Sequence, residues 1–118
     1  MKIESVIPIL YSDDVARSIA FYTEVLGFKQ HWSWDETPTF GGVVNDEATI
    51  FFCKGAQGHK GTWLAINVDN VDEFYEKIKD KDVEISGPPE DKPWSMREML
   101  VKDPDGHILR IGNNTNCD

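Results

Sequence analysis

Residues 93–112, PWSMREMLVKDPDGHILRIG, decide how this chain is read, because they hold two strand patterns and the turn between them. Pro93 restricts the residue before it, Lys92, to extended backbone and so sets a strand entry. Met96, Glu98, Leu100 and Lys102 then fall on one face, and Arg97, Met99 and Val101 on the other, the two-residue period of a pleated strand. Asp103-Pro104-Asp105-Gly106 is turn chemistry: Pro104 fixes φ, Asp103 can accept bonds from backbone amides, and Gly106 tolerates positive φ. His107-Ile108-Leu109-Arg110-Ile111 returns as a second strand, its Ile and Leu suited to a half-buried pleated surface. Arg110 is a charge inside that apolar run, which makes it the first candidate for a functional side chain.

The rest of the chain sorts itself around this hairpin. Ile3–Tyr11 predicts a first strand, apolar at Val6, Ile7, Ile9 and Leu10. Pro8 lies inside it and cannot donate to a ladder, so the strand is expected at an edge, at a bulge or in a crossing between subunits. Ser12-Asp13-Asp14 can cap a helix whose residues Val15, Ile19, Tyr22 and Leu26 recur at helical spacing and which Gly27 closes. Phe28–Trp34 predicts a strand, 35–39 a loop, and Phe40–Val44 with Ala48–Cys53 a hairpin about Asn45-Asp46-Glu47. Lys54–Gly61 is a glycine-rich loop. Thr62–Val68 predicts the next strand. Asn70 then caps a second helix with Glu73 as its capping-box partner, and Val71, Phe74, Tyr75 and Ile78 form the apolar face. Val83–Ile85 predicts a short strand, and Gly87-Pro88-Pro89 a break before the hairpin. The order is strand–helix–three strands, twice. Asp14-Val15 before Phe21-Tyr22 echoes Asn70-Val71 before Phe74-Tyr75, the mark of a duplicated unit of about 55 residues. The expected fold class is α+β: two βαβββ modules, approximately 1–56 and 57–113 with a polar tail 114–118, forming curved mixed sheets around a cavity in a single domain.

Bulk properties narrow the function. A chain of 118 residues is one domain's worth, and it buries roughly two thirds of its unfolded surface without needing staples. Its net charge of −9 argues against nucleic acid, because no basic patch exists to neutralise phosphates. The two cysteines, Cys53 and Cys117, form no CxxC motif and no disulfide framework, which points to a reducing, cytoplasmic setting. MKIESVIPIL is too short and too polar for a signal peptide, and no apolar run reaches membrane-spanning length.

Five segments together carry a resemblance to the vicinal oxygen chelate superfamily of glyoxalase I, extradiol dioxygenases, fosfomycin-resistance enzymes and bleomycin-resistance proteins. They are Pro8-Ile9-Leu10 with Ser12–Ser18 (SDDVARS), Ala20–Phe28 (AFYTEVLGF), Phe40–Val44 (FGGVV), Asn70–Tyr75, and Pro93–Gly112. The chain most resembles the bleomycin-resistance proteins. Their VxDVxxSxxFYxxxLGF-like opening and PWxxRExxxxDPDG-like ending both stand here in register, with Ser12 in place of the leading Val. The resemblance implies a homodimer with symmetric cavities and an exchange of the first strand near Pro8. It also implies where the superfamily's enzymes hold a divalent metal, and those positions read Ile7, Phe51, Trp63 and Arg110. None offers the carboxylate, imidazole or thiolate that such ions require. No metal and no cofactor is therefore expected, nor the Lewis-acid chemistry that a metal supplies.

The candidate ligand-binding residues are Trp32, Trp34, Phe40, Phe51, Trp63, Trp94, Met96 and Arg110. Each aromatic also has a plain reading as core, but a small domain rarely uses four tryptophans on core alone. Aromatic faces stack planar ligands and attract cations. Arg110 reads either as paired to a carboxylate such as Glu98 or as a donor to a ligand's carbonyl or carboxylate. Met96 and Met99 read as adaptable packing. His31, His59 and His107 read as solvated or locally bonded, and a Cys53–His nucleophile lacks an orienting third group. Asp35-Glu36 and Glu73–Lys81 read as solvated charge. The expected function is non-catalytic binding of a small molecule, concretely sequestration of a cationic aromatic antibiotic such as bleomycin. The rivals are a metal-dependent lyase, isomerase or dioxygenase drawing on the histidines, and a protein-interaction module.

Overall fold

The computed structural model describes residues 1–33, 38–55 and 57–115, and the chain divides into two units, Met1–Lys60 and Gly61–Asp118. The first unit runs β1 (Ile9–Tyr11), α1 (Val15–Ala20), a π-helical turn (Phe21–Val25), β2 (Lys29–Ser33), β3 (Phe40–Asn45) and β4 (Ala48–Cys53). Its sheet has the order β1-β4-β3-β2, with β1 parallel to β4 and the other pairs antiparallel. Asp14 caps α1, its carboxylate accepting the Arg17 N–H at 3.1 Å. Gly27, at φ 83°, closes the helix, and the Phe28 N–H returns to the Tyr22 carbonyl at 2.9 Å.

Two elements of this unit differ from the sequence expectation. The strand expected over Ile3–Tyr11 shortens to Ile9–Tyr11. Pro8 has no N–H, so the ladder begins at its carbonyl, which accepts the Phe51 N–H at 3.0 Å; Ile3 and Val6 stand exposed before it. The helix expected to run regularly to Leu26 widens into the π turn, where the Leu26 N–H reaches back to the Phe21 carbonyl. A recurrence of apolar residues fits either winding, so spacing alone could not separate them. The core lies between the helical segment and the sheet. Tyr22 is fully buried, its ring 5.9 Å from that of Phe28 and 4.9 Å from that of Phe52, with Leu10, Val15, Ile19, Val43 and Ile50 around them.

The second unit runs β5 (Trp63–Asn67), α2 (Val71–Ile78), β6 (Glu84–Ile85), β7 (Glu90–Lys92), β8 (Met96–Lys102) and β9 (Ile108–Asn114). Its sheet has the order β5-β9-β8-β6, and β7 also pairs with β8. β7 is an addition to the expected order, because Glu-Asp-Lys has no apolar alternation to announce a strand. β6 pairs with Val101 and Lys102 and β7 with Met96, Arg97 and Glu98, so both lie along one edge of β8, interrupted at Gly87-Pro88-Pro89. β5 lies parallel to β9 and β8 antiparallel to it. Met99, Val101, Leu109 and Ile111 are buried with Val71 and Ile78 of α2, which packs on β8 and β9.

Local chemistry holds these elements as the sequence predicts. Asn70 accepts the Glu73 N–H at 3.1 Å, although the Glu73 carboxylate turns to Lys77 (3.3 Å) instead of closing a capping box. Asp103 Oδ1 accepts both the Asp105 and the His107 N–H at 2.9 Å, and Gly106 sits at φ 80°. His107 is fully buried, and its Nδ1 accepts the Thr62 N–H at 3.0 Å, which leaves the ring proton of the neutral imidazole on Nε2. The turn thereby fastens the entry of β5.

Arg97 fastens α2 to the β7–β8 edge from outside. Its Nε and Nη2 meet Asp72 and its Nη1 meets Asp91 at 3.2 Å. The guanidinium holds the Asp72 carboxyl below the usual carboxylate range. A carboxyl depressed on folding stabilises above its unfolded pKa of about 3.9 and loses that contribution as pH falls through the folded value. The stability difference between wild type and Asp72→Asn, read by urea unfolding, is therefore expected to be level from neutral pH to about pH 5 and to shrink below about pH 4. It should also shrink in molar salt, since both groups are solvent-accessible. Among the described residues no helix is long and apolar enough to cross a membrane.

Candidate functional site

Alternation along β5, β8 and β9 decides which side chains face away from α2. Register places Trp63 beside Ile108, Ala65 beside Arg110 and Leu100 beside Arg110 on the other side, with Glu98 beside Gly112. On this face the second unit carries a pocket of about 370 Å³, near the small end of ligand pockets, roughly 300–1,000 Å³. Trp63, Trp94 and Arg110 line it with Glu98, Leu100 and Met99, and the β6–β7 edge contributes Ser86, Gly87, Pro88, Glu90 and Lys92.

Glu98 and Arg110 form its polar centre. Glu98 is 6% exposed, and Arg110 Nε donates to its Oε1 at 3.0 Å. The guanidinium also lies over the Trp94 ring, 5.0 Å from the centroid. Arg110 thus has both attributes read from sequence: it is paired to Glu98 and it lines a cavity. Gly112 makes the pairing possible. A Cβ there would lie 2.7 Å from Glu98 Cβ and 2.6 Å from the Arg97 carbonyl oxygen, so only a glycine leaves Glu98 its place on the sheet. The turn before β8 aims the tryptophan. Ser95 holds the left-handed region at φ 63°, its N–H bonded to the Lys92 carbonyl at 3.2 Å. Trp63 and Trp94 remain 61% and 53% exposed, so both offer ring surface to a ligand, Trp94 on the side that Arg110 leaves uncovered.

The other aromatic candidates gather in the first unit. Trp32 stacks on Phe40 (5.3 Å, 12°), and Phe51 sets its ring edge-on to both, at 5.1 and 5.9 Å. Gly42 lies opposite Phe51 in the ladder, and a Cβ there would lie 2.8 Å from its ring. These rings are half-buried on one another. Trp34 and the Asp35-Glu36 pair lie outside the described residues. Met96 shares the face of Glu98 but pairs with Lys92 and Asn114 at the far end of β8 and does not line the pocket; Met99 borders it between Glu98 and Leu100 while its side chain is buried on the α2 side. His31 and His59 are exposed, and His107 serves the turn.

The metal positions implied by resemblance do not fit a metal. Ile7 and Phe51 have no donor, the Trp63 indole offers only an N–H, and Arg110 is a cation bonded to Glu98. Among the described residues no three His, Cys, Asp or Glu side chains come together in a way that could hold an ion.

A family model for the Glyoxalase/Bleomycin resistance protein/Dioxygenase superfamily matches residues 2–111, and the chain belongs to that superfamily. Among particular relatives it is 25% identical to YraH of Bacillus subtilis, an uncharacterised protein, across 86% of this chain and 91% of that one. Its fold matches the crystal structure of TioX from Micromonospora sp. ML1 with a TM-score of 0.84 at 21% identity, over 92% of this chain and 96% of the other. It also matches the bleomycin-binding protein of Streptomyces verticillus, solved with copper(II)-bleomycin, with a TM-score of 0.75 at 22% identity over 94% and 96%.

Proposed function

We propose that this chain is a non-catalytic binding protein that sequesters a small molecule with a planar aromatic part, an antibiotic of the bleomycin kind being the first candidate. The observation that carries the reading is the pair of exposed tryptophans, Trp63 and Trp94, at a pocket where the metal-ligand positions that line it, Trp63 and Arg110, hold no metal donor. Such rings bind planar groups by stacking and need no chemistry to hold them. The fold likeness to a bleomycin-binding protein supports trying that ligand first. The net charge of −9 supports a cationic one, since it draws cations in from a distance. The same reading includes a cytoplasmic homodimer with two equivalent sites.

Titration of tryptophan fluorescence with metal-free and copper-bound bleomycin tests it. The expected result is saturable quenching, weakened about tenfold by Trp94→Ala, since stacking on an aromatic ring contributes about 1–3 kcal/mol. Trp94 is exposed, so an unchanged melting temperature in the variant separates lost binding from lost folding. No quenching at high micromolar ligand retires bleomycin. Stoichiometric divalent metal in the purified protein would overturn the non-catalytic reading itself.

A further inference from the structure

The charges inside the pocket do not follow the charge of the whole chain. Glu98 faces Arg110, and Glu90 meets Lys92 at 3.2 Å, so the lining is locally neutral although the protein is strongly acidic. The Glu98–Arg110 pair is also incompletely used. Arg110 Nε is occupied by Glu98 Oε1, and among the described residues neither Arg110 Nη nor Glu98 Oε2 has a hydrogen-bond partner. No fully buried side-chain nitrogen or oxygen among those residues lacks a hydrogen bond. Glu98 Oε2 must therefore keep an opening to solvent, and the opening available to this largely buried residue is the pocket it lines. Two contacts orient the guanidinium: the Nε bond to Glu98 and the Trp94 ring that lies against it.

We infer that Glu98 and Arg110 form a fixed acceptor–donor edge that reads an uncharged amide-type group on the ligand, beside the planar part that lies on the tryptophans. An amide N–H donates to Glu98 Oε2 while its carbonyl accepts from Arg110 Nη. A primary carboxamide, a lactam or a ring with adjacent N–H and C=O satisfies both. A carboxylate satisfies Arg110 but meets Glu98, and an ammonium satisfies Glu98 but meets Arg110, so each charged analogue leaves one like-charge contact. This inference rests on the proposed binding role and names the chemistry that the site would select.

Three probes on one aromatic ring test it: naphthamide, naphthoate and naphthylmethylammonium, titrated by calorimetry and by NMR of the Trp94 indole N–H and Arg110 Nε–H signals. The wild type is expected to bind the amide about tenfold or more tightly than either ion. In Glu98→Gln the carboxylate should become the best ligand, and in Arg110→Gln the ammonium. Glu98→Gln is isosteric and Arg110→Gln keeps a polar but shorter side chain, and the amide spectrum of each variant reports whether it folds. An unchanged ranking in the two variants, or a wild type that prefers the carboxylate, overturns the inference. If all three probes shift Trp94 equally, binding stands and the amide selectivity falls. If none shifts it up to the solubility limit, the binding role falls as well.

Discussion

Phe52→Ala is expected to lower the unfolding free energy by about 3–5 kcal/mol, the range for removing a fully buried aromatic ring. Phe52 has no exposed surface and lies on β4 between neighbours that cannot follow it inward. Its backbone is fixed on both sides, opposite Leu10 in β1 and Gly41 in β3. On the helix side Tyr22 is held by the π turn, its ring 4.9 Å from that of Phe52. A Cβ at Gly41 would lie 2.9 Å from the Ile19 side chain, so the layer is already close and has little room to collapse. The cost should fall in the upper part of the range and appear as a shift of the urea midpoint with little change in slope. A loss below about 1 kcal/mol would mean that the helical segment does not rest on this sheet as described.

Gly112→Ala is expected to cost about 1–3 kcal/mol by overpacking and, at the same time, to disable the pocket. The added methyl meets the Arg97 carbonyl oxygen at 2.6 Å and Glu98 Cβ at 2.7 Å. The first contact is backbone in the middle of the sheet, where Gly112 pairs with both Asn67 and Glu98 and its carbonyl accepts the Val68 N–H at 2.9 Å. Relief must come from moving β8 against β9 or from pushing Glu98 aside. Either movement separates Glu98 Oε1 from Arg110 Nε and changes the edge offered to a ligand. Stability and binding should therefore fall together in this variant, whereas Trp94→Ala lowers binding alone. A Gly112→Ala protein that binds as the wild type does would show that the Glu98–Arg110 geometry does not govern the site.

What could be read from sequence was what short-range chemistry decides. A helix cap within Ser12-Asp13-Asp14, which the structure places at Asp14, Asn70 as the second cap, Gly27 as a helix end and Asp103–Gly106 as a turn all follow from bonds made within a few residues. What failed to show depended on distant partners. Glu90–Lys92 is a strand only because β8 lies beside it, and Ile3–Val6 looks like a strand but pairs with no strand among the described residues. The site divides in the same way. Arg110 was visible as a charge in an apolar run, and Trp63 and Trp94 through the resemblance. The Ser86–Lys92 wall was not visible, because it reaches the pocket by pairing along the edge of β8. Gly112 could have been suspected, since a glycine inside a strand often marks a close approach.

Each sheet joins its first strand to its last in parallel: Ile9 pairs with Phe51, and Trp63 with Ile108. During synthesis this orders events in time. The first unit has all its strands once Cys53 has left the ribosome. The second must hold β5 and α2 without a finished sheet until β9 emerges, on the order of several seconds later at ordinary translation speed. Through that interval the open edge of β5, with Trp63 on it, is the part of the nascent chain most exposed to wrong pairing.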